Sequence, residues 1–317
     1  MNIPRGREDV AKLFKNSITK DRLAQAYILS GPGGIGKKTV LKYVLSLMLC
    51  DSNSSCGECL SCKSLEAGAH PDIVEVRRDP DRATIGVNKI RDIKPEVYTR
   101  PTMAKYKAVI IYEAHLTTVE AQNAMLKMIE EPPERVVFFL LCDTTAPILP
   151  TINSRSLTVN LNPLSNEVLK EISGADDFEI SVCEGNPGRL FQLQDDSEYI
   201  GVRDEVIDAF ASLSPSDPYT AYDIVSRLDK IKEHKDDVLD IMLMFVRDAY
   251  YKKKGIENCI INKDKMNYIN AFAGRANEEN LWKIMDNIIT TCREKGKNGN
   301  FNIAVTVLLL KCRKLLS

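Results

Sequence analysis

The chain has 317 residues, with 43 Lys and Arg against 44 Asp and Glu and a formal charge of −1. At roughly 150 residues per domain this length holds two or three domains, and the even charge excludes a stand-alone coat or basic tail that neutralises many phosphates. With 44% hydrophobic and 27% charged residues the chain is not disordered, and its longest apolar runs, Val136 to Cys142 and Ile303 to Leu310, are too short to span a bilayer.

The N-terminus is charged where an export signal needs an apolar stretch, so a cytoplasmic protein with no membrane partner is expected. Arg7 to Ile18 has helical spacing, Ala26 to Ser30 reads as a short strand ending in a Gly-rich turn, and Lys37 to Leu49 is helical again. Strands are predicted at Asp72 to Val76, Lys107 to Tyr112, Val136 to Leu141 and around Ser156 to Asn160, with helices over Val87 to Val97 and Thr117 to Glu130. This alternation predicts a parallel sheet covered on both faces. After Pro163 the strand pattern fades, and Ser165 reads as a helix N-cap. Long helices are predicted at Ala221 to Ile231, Asp236 to Lys252, Asn277 to Lys295 and Asn302 to Leu316. Boundaries therefore fall near residues 163 and 200, giving domains 1–163, 164–200 and 201–317. The basic clusters Lys252-Lys253-Lys254 and Lys295-Gly-Lys297 sit near helix ends and read as solvated surface.

Gly31-Pro-Gly-Gly-Ile-Gly36-Lys37-Lys38-Thr39 follows a predicted strand and opens a predicted helix, the setting of a phosphate-binding loop. Lys37 would reach the outer phosphates. The residue that should carry a hydroxyl for Mg²⁺ is Lys38, and Thr39, one position later, points about 100° away on a helix. The second nucleotide strand, Lys107 to Tyr112, ends in Tyr112 where an acid would support Mg²⁺, while Glu113 holds the place of a water-polarising base. With both Mg²⁺ supports missing, hydrolysis is expected to be disabled, ATP binding is open, and Lys38 is expected to fill the place of the metal and pair with Glu113.

Cys50, Cys56, Cys59 and Cys62 form a fourth-sulfur-plus-double Cys-x₂-Cys pattern over residues 50–62 that can wrap Zn²⁺ in a closed tetrahedral, structural site. An iron–sulfur cluster is the alternative, although no Pro follows Cys62. The other five cysteines lack ligand spacing and read as packing residues, and His70 and His115 as structural ones.

Several ordered motifs now carry a family resemblance. Arg22-Leu-Ala-Gln-Ala-Tyr-Ile-Leu-Ser-Gly31, the cysteine module after the phosphate-loop helix, His70-Pro71-Asp72, Glu120 to Pro133, Leu149-Pro-Thr-Ile-Asn-Ser154-Arg155-Ser156 and Gly185-Asn-Pro-Gly-Arg189 resemble the bacterial clamp-loader AAA+ family over the first 190 residues. Arg247-Asp248 and Asn300-Phe-Asn302 are fainter echoes. The resemblance implies an α/β RecA-like AAA+ domain with an inserted zinc module, a small helical lid and an all-α C-terminal collar that oligomerises. It implies motor (gamma/tau) and delta subunits as partners, with the sliding clamp and primed DNA reached through the complex. Motor subunits of the family keep an intact phosphate loop and second strand, so the loss of both Mg²⁺ supports resembles the stator branch. Such a chain has no independent ATPase activity expected of it, while belonging to a DNA-directed DNA polymerase holoenzyme. By the same resemblance Arg155 is an arginine finger offered in trans to ATP on a neighbouring subunit; read without it, Arg155 makes a strand-end salt bridge. Arg189 takes the place of the family's second sensor arginine, or of a structural ion pair. An active ATPase motor subunit and a non-replicative AAA+ scaffold remain the alternatives.

Overall fold

The computed structural model describes residues 3–175, 177–196, 198–295 and 301–316; Lys297 and Asn300 lie outside the described residues. The chain forms two compact units, Met1–Gly174 with Cys183–Arg189, and Ala175–Val182 with Leu190–Ser317. The segment 164–200, expected as a lid, contributes residues to both.

The first unit is the expected α/β layer structure, a five-stranded parallel sheet with helices on its faces. It runs through α1 (Glu8–Thr19), β1 (Ala26–Ser30), α2 (Lys37–Met48), α3 (Leu60–Glu66), β2 (Ile73–Val76), α4 (Val87–Asp92), α5 (Lys94–Val97), β3 (Lys107–Ile111), α6 (Val119–Glu130), β4 (Val136–Cys142), α7 (Pro150–Asn153), β5 (Leu157–Asn160) and α8 (Asn166–Ser173). The strands lie in the order β2-β3-β4-β1-β5, with every pair parallel. Strands β1, β3 and β4 are buried along their whole length, which explains their unbroken apolar runs. Alternate residues face opposite layers. Tyr27, Leu29, Ile110 and Phe139 pack with Phe14 of α1 and Val40, Leu41 and Val44 of α2. Ile28, Val109, Phe138 and Leu140 pack with Ile90 of α4 and Met125 and Ile129 of α6. Tyr27 and Phe139 stack at 5.6 Å between ring centroids, and Phe14 tilts against Tyr27 at 4.8 Å.

Local chemistry explains where elements start and break. Thr118 caps α6 by accepting the Ala121 N–H at 3.2 Å, and Ser165 caps α8 as expected, accepting from Val168 at 3.4 Å. The single helix predicted over Val87 to Val97 is instead two, because Pro95 has no N–H for the Arg91 carbonyl.

The second unit is helical, as expected. Residues of α9 (Asp177–Cys183) and α10 (Pro187–Asp195) contribute to both units, and then come α11 (Tyr199–Ala211), α12 (Tyr219–Leu228), α13 (Lys235–Lys254), α14 (Met266–Gly274), α15 (Glu278–Lys295) and α16 (Phe301–Arg313). Phe210, Phe245 and Phe272 meet at centroid distances of 5.2 to 6.3 Å in its core. Asp248, fully buried, accepts the Ile261 and Asn262 N–H groups at 3.1 and 2.8 Å and so anchors the loop before α14.

Candidate nucleotide cleft and metal centre

A parallel sheet places its functional loops at the carboxyl ends of its strands. Here the ends of β1, β3 and β4 bring the loop 31–36, Tyr112-Glu113 and Asp143 around a cavity of about 580 Å³. Gly36 opens α2 in a left-handed conformation (φ 98°), and Gly34 (φ 80°) has no room for a side chain: a Cβ there would lie 2.7 Å from Asn186 Oδ1 and 3.2 Å from Gly188 Cα. The segment 186–189 is hydrogen-bonded onto this loop. Asn186 Nδ2 donates to Gly33 O at 2.7 Å, Gly188 N to Gly34 O at 3.0 Å, and Asn186 Oδ1 accepts from the Gly188 and Arg189 N–H groups at 3.0 and 3.2 Å.

Lys37 is folded back onto its own loop. Its ammonium donates to the carbonyls of Gly31 and Pro32, the latter at 3.0 Å, and to Asp143 Oδ1 at 2.6 Å. Those three acceptors match its three donors, and its side chain is 11% exposed against 48% for Asp143. The Asp143 N–H donates to His115 Nδ1 at 3.2 Å, which makes His115 a structural residue, as expected.

Lys38 does not pair with Glu113. Glu113 lies 3.4 Å from Arg78 Nε, and the Lys38 ammonium sits 5.7 Å from the centroid of the Tyr112 ring, which Arg77 covers at 3.8 Å. The expected pairing fails because β2 is followed directly by Arg77 and Arg78, two cations that reach the cleft from the end of a neighbouring strand. Tyr112 Oη donates to Glu75 at 2.8 Å, and burial together with this carboxylate pushes the phenol up to about 12. Tyr112 therefore stays neutral and supplies no anionic oxygen to a metal. Thr39 lines the cavity, whereas Arg189 is exposed and does not. Arg155 is an exposed residue just beyond α7, where it holds Glu130 Oε1 at 2.9 Å and Thr151 O at 3.1 Å.

The second site lies beyond the other end of α2. Cys50, Cys56, Cys59 and Cys62 bring their sulfurs within 4.8 Å of one another. The Cys50–Cys56 and Cys56–Cys62 sulfur distances are 3.6 and 3.9 Å; a tetrahedral ion with ligands at about 2.3 Å sets edges of about 3.8 Å. These residues can therefore hold one metal ion. Burial raises the Cys50 thiol, but the Ser52 hydroxyl and the Cys56, Ser54 and Ser52 amides outweigh it and bring it down to about 5, while burial pushes Cys62 up to about 12. A closed four-thiolate site needs a cation in place of that last proton. The Cys59 amide, 3.4 Å from the Cys56 sulfur, lowers the Cys56 thiol, and the Cys62 amide lies 3.4 Å from the Cys59 sulfur.

The module is fastened to the sheet through His70-Pro71-Asp72. Ser61 Oγ donates to Leu49 O at 2.7 Å and meets His70 Nε2 at 2.6 Å, and His70 Nδ1 accepts the Asp72 N–H at 3.1 Å. Asp72, fully buried, accepts the N–H groups of Thr102, Met103 and Ala104 at 2.5 to 2.7 Å. Sequence reasoning missed Asp143, Arg77 and Arg78, and gave no role to Asn186 within the Gly185-Asn-Pro-Gly-Arg189 motif; the charged Arg77-Arg78 pair at a strand end was the other visible sign.

Residues 6–165 match the family described as DNA polymerase III, delta subunit, and residues 198–314 match DNA polymerase III, delta subunit, C terminal. The DNA polymerase III subunit delta' of Bacillus subtilis (strain 168) is 27% identical over 311 residues, covering 95% of this chain and 93% of the relative. Subunit tau of the same organism is 32% identical over 167 residues, 52% of this chain but 29% of the relative. Subunit gamma of Buchnera aphidicola subsp. Schizaphis graminum (strain Sg) is 31% identical over 166 residues, 51% of this chain and 45% of the relative. The chain thus spans less than half the length of these tau and gamma relatives. A solved structure of a gamma subunit-related protein from Thermotoga maritima has a TM-score of 0.48 at 18% identity, with 98% of this chain and 99% of that one covered.

Proposed function

The chain belongs to the DNA polymerase III delta-subunit family, and on that premise we propose that it is the delta', or stator, subunit of the DNA polymerase III clamp loader. In that role it helps the motor (gamma/tau) and delta subunits open the sliding clamp and place it on primed DNA. The observation that carries this reading is extent: the match to delta' runs almost end to end in both proteins, while the matches to tau and gamma take in about half of this chain. The cleft agrees with a non-hydrolysing subunit, since Lys38 and the neutral Tyr112 stand where Mg²⁺ would need a hydroxyl and a carboxylate.

Arg155 is the arginine finger given in trans to ATP on a neighbouring motor subunit. Its support is exposure together with a weak present partner: an ion pair whose members are 43% and 39% exposed is worth about 1 kcal/mol or less, so the guanidinium exchanges Glu130 for a phosphate at small cost. The four cysteines hold one structural Zn²⁺, a reading supported by sulfurs packed closely enough to enclose a single ion. The organisation is a AAA+ domain (1–163), a lid (164–200) and a collar (201–317), working in the cytoplasm; no helix among the described residues is long and apolar enough to cross a membrane.

Reconstitution with motor and delta subunits tests this. Arg155→Ala leaves assembly intact and slows ATP turnover at the adjoining motor site by about 10³-fold or more, read as DNA-stimulated ATPase of the complex. ATP turnover by the isolated chain that Lys37→Ala abolishes marks a motor subunit instead. Failure to assemble with motor and delta subunits marks a non-replicative scaffold.

A further inference from the structure

The four sulfurs of the metal centre are not equally placed. Cys50 and Cys62 are buried, Cys59 is half-buried, and Cys56 is exposed. The loop 51–55 turns through two left-handed residues, Asn53 (φ 51°) and Ser55 (φ 56°), and Ser55 Oγ donates to Ser46 Oγ of α2 at 2.8 Å. It thereby sets the exposed Cys56 sulfur 3.6 Å from the buried sulfur of Cys50. A disulfide is about 2.05 Å long, so these two sulfurs need to approach by about 1.5 Å to join. Cys59 and Cys62 are held differently. They lie at the start of α3, where the Cys59 sulfur caps the helix by accepting the Cys62 N–H at 3.4 Å, and Cys62 stands 3.9 Å from Cys56.

We propose that Cys56 is a peroxide-reactive modification site and that Cys50 resolves it, so that hydrogen peroxide converts the closed centre into a metal-free disulfide form. The proposal rests on the reading of the four cysteines as a Zn²⁺ site. A ligating cysteine is a thiolate, the nucleophilic form, and Cys56 is the ligand that an oxidant reaches from solvent. The Cys56 thiolate attacks one peroxide oxygen; the O–O bond breaks, hydroxide leaves, and Cys56 becomes a sulfenic acid. The Cys50 thiolate then attacks the Cys56 sulfur; the S–O bond breaks, a second hydroxide leaves, and the Cys50–Cys56 disulfide forms. Two thiolates have given up two electrons and one peroxide has taken them. Cys59 and Cys62 alone do not close a tetrahedral site, so the ion is lost. A dithiol reductant returns the two electrons and restores all four ligands.

The test uses the full chain loaded with zinc and treated with hydrogen peroxide beside a chromogenic zinc chelator, with thiols and disulfides mapped by mass spectrometry. Zinc release should match formation of the Cys50–Cys56 disulfide one to one, and dithiothreitol with added zinc should reverse it. Cys259, exposed and outside the cluster, is the internal reference. Cys56 should react about tenfold or more faster than Cys259, because a thiol without a metal is ordinarily only a few per cent thiolate at pH 7. Cys50→His keeps four zinc ligands but no resolving thiol, so a dimedone probe should label Cys56 in the zinc-loaded variant and not in the wild-type chain. Four results overturn the proposal: zinc retained while Cys259 is oxidised, a disulfide joining another pair, zinc release that dithiothreitol does not reverse, or no labelling of Cys56 in zinc-loaded Cys50→His. A chain that binds no zinc before peroxide is added overturns the metal-centre reading as well, whereas each of the four leaves that reading standing.

Discussion

The sequence before and after α2 forms two sites whose polar groups stand in opposite relations. At the N-terminal end Lys37 has an acceptor for each donor and faces a carboxylate of opposite charge, so the loop is satisfied by its own chain. Beyond the C-terminal end four sulfurs of the same kind crowd within 4.8 Å of one another, and none of the four brings a positive charge to balance a thiolate. Readiness for a ligand is thus visible in what converging groups lack, and the two sites differ in how much of the fold depends on their ligands.

The largest effect tests the cysteine end. Chelation, or Cys62→Ser, should remove one equivalent of bound metal and unfold the segment around α3, because site formation supplies about 10–16 kcal/mol in small zinc modules; metal content and circular dichroism read it, and an unchanged metal ratio in Cys62→Ser breaks the comparison. A smaller effect sharpens it. Burial lowers the His70 pKa, partly offset by the Asp72 charge. A depressed value means that the unfolded chain binds the proton more readily, so this contribution to stability is complete above the ordinary histidine pKa of about 6.5 and is lost as pH falls. The melting temperature should fall as the pH drops below about 6.5, and His70→Gln should flatten that dependence. The smallest effect belongs to the cleft: Asp143 is half exposed, so Asp143→Asn should change unfolding free energy by less than about 1 kcal/mol. A loss of several kcal/mol would show that the Lys37–Asp143 pair holds the fold as the cysteines do.

What could be read without coordinates had local determinants. The apolar runs of β1, β3 and β4, the glycines of 31–36 and the cysteine spacing each announce their structure within a dozen residues. Tyr112 at the place of a metal support is legible in the sequence, because that follows from one position on one strand. The partner of Lys37 was not legible: Asp143 lies 106 residues away and reaches it only because β4 is hydrogen-bonded beside β1. The same holds for Arg77 and Arg78, brought beside Glu113 by the β2–β3 pairing. Pro95 divides a segment, Val87 to Val97, whose apolar spacing alone is that of one continuous helix. The short α14 was missed because its nine residues carry too few turns for periodicity to register.

The contact between Gly34 and Gly188 is a seam without clearance. A Cβ on Gly188 would stand 2.5 Å from Gly34 Cα and 2.7 Å from Gly34 O, so the spacing of these two stretches is gauged by backbone hydrogens alone. Neither position can change by one methyl group unless the stretches part, which makes alanine at either one a wedge. The phosphate loop and the segment 186–189 are therefore a single machined part assembled from two distant pieces of chain, and a tool that separates them is available at the scale of one carbon atom.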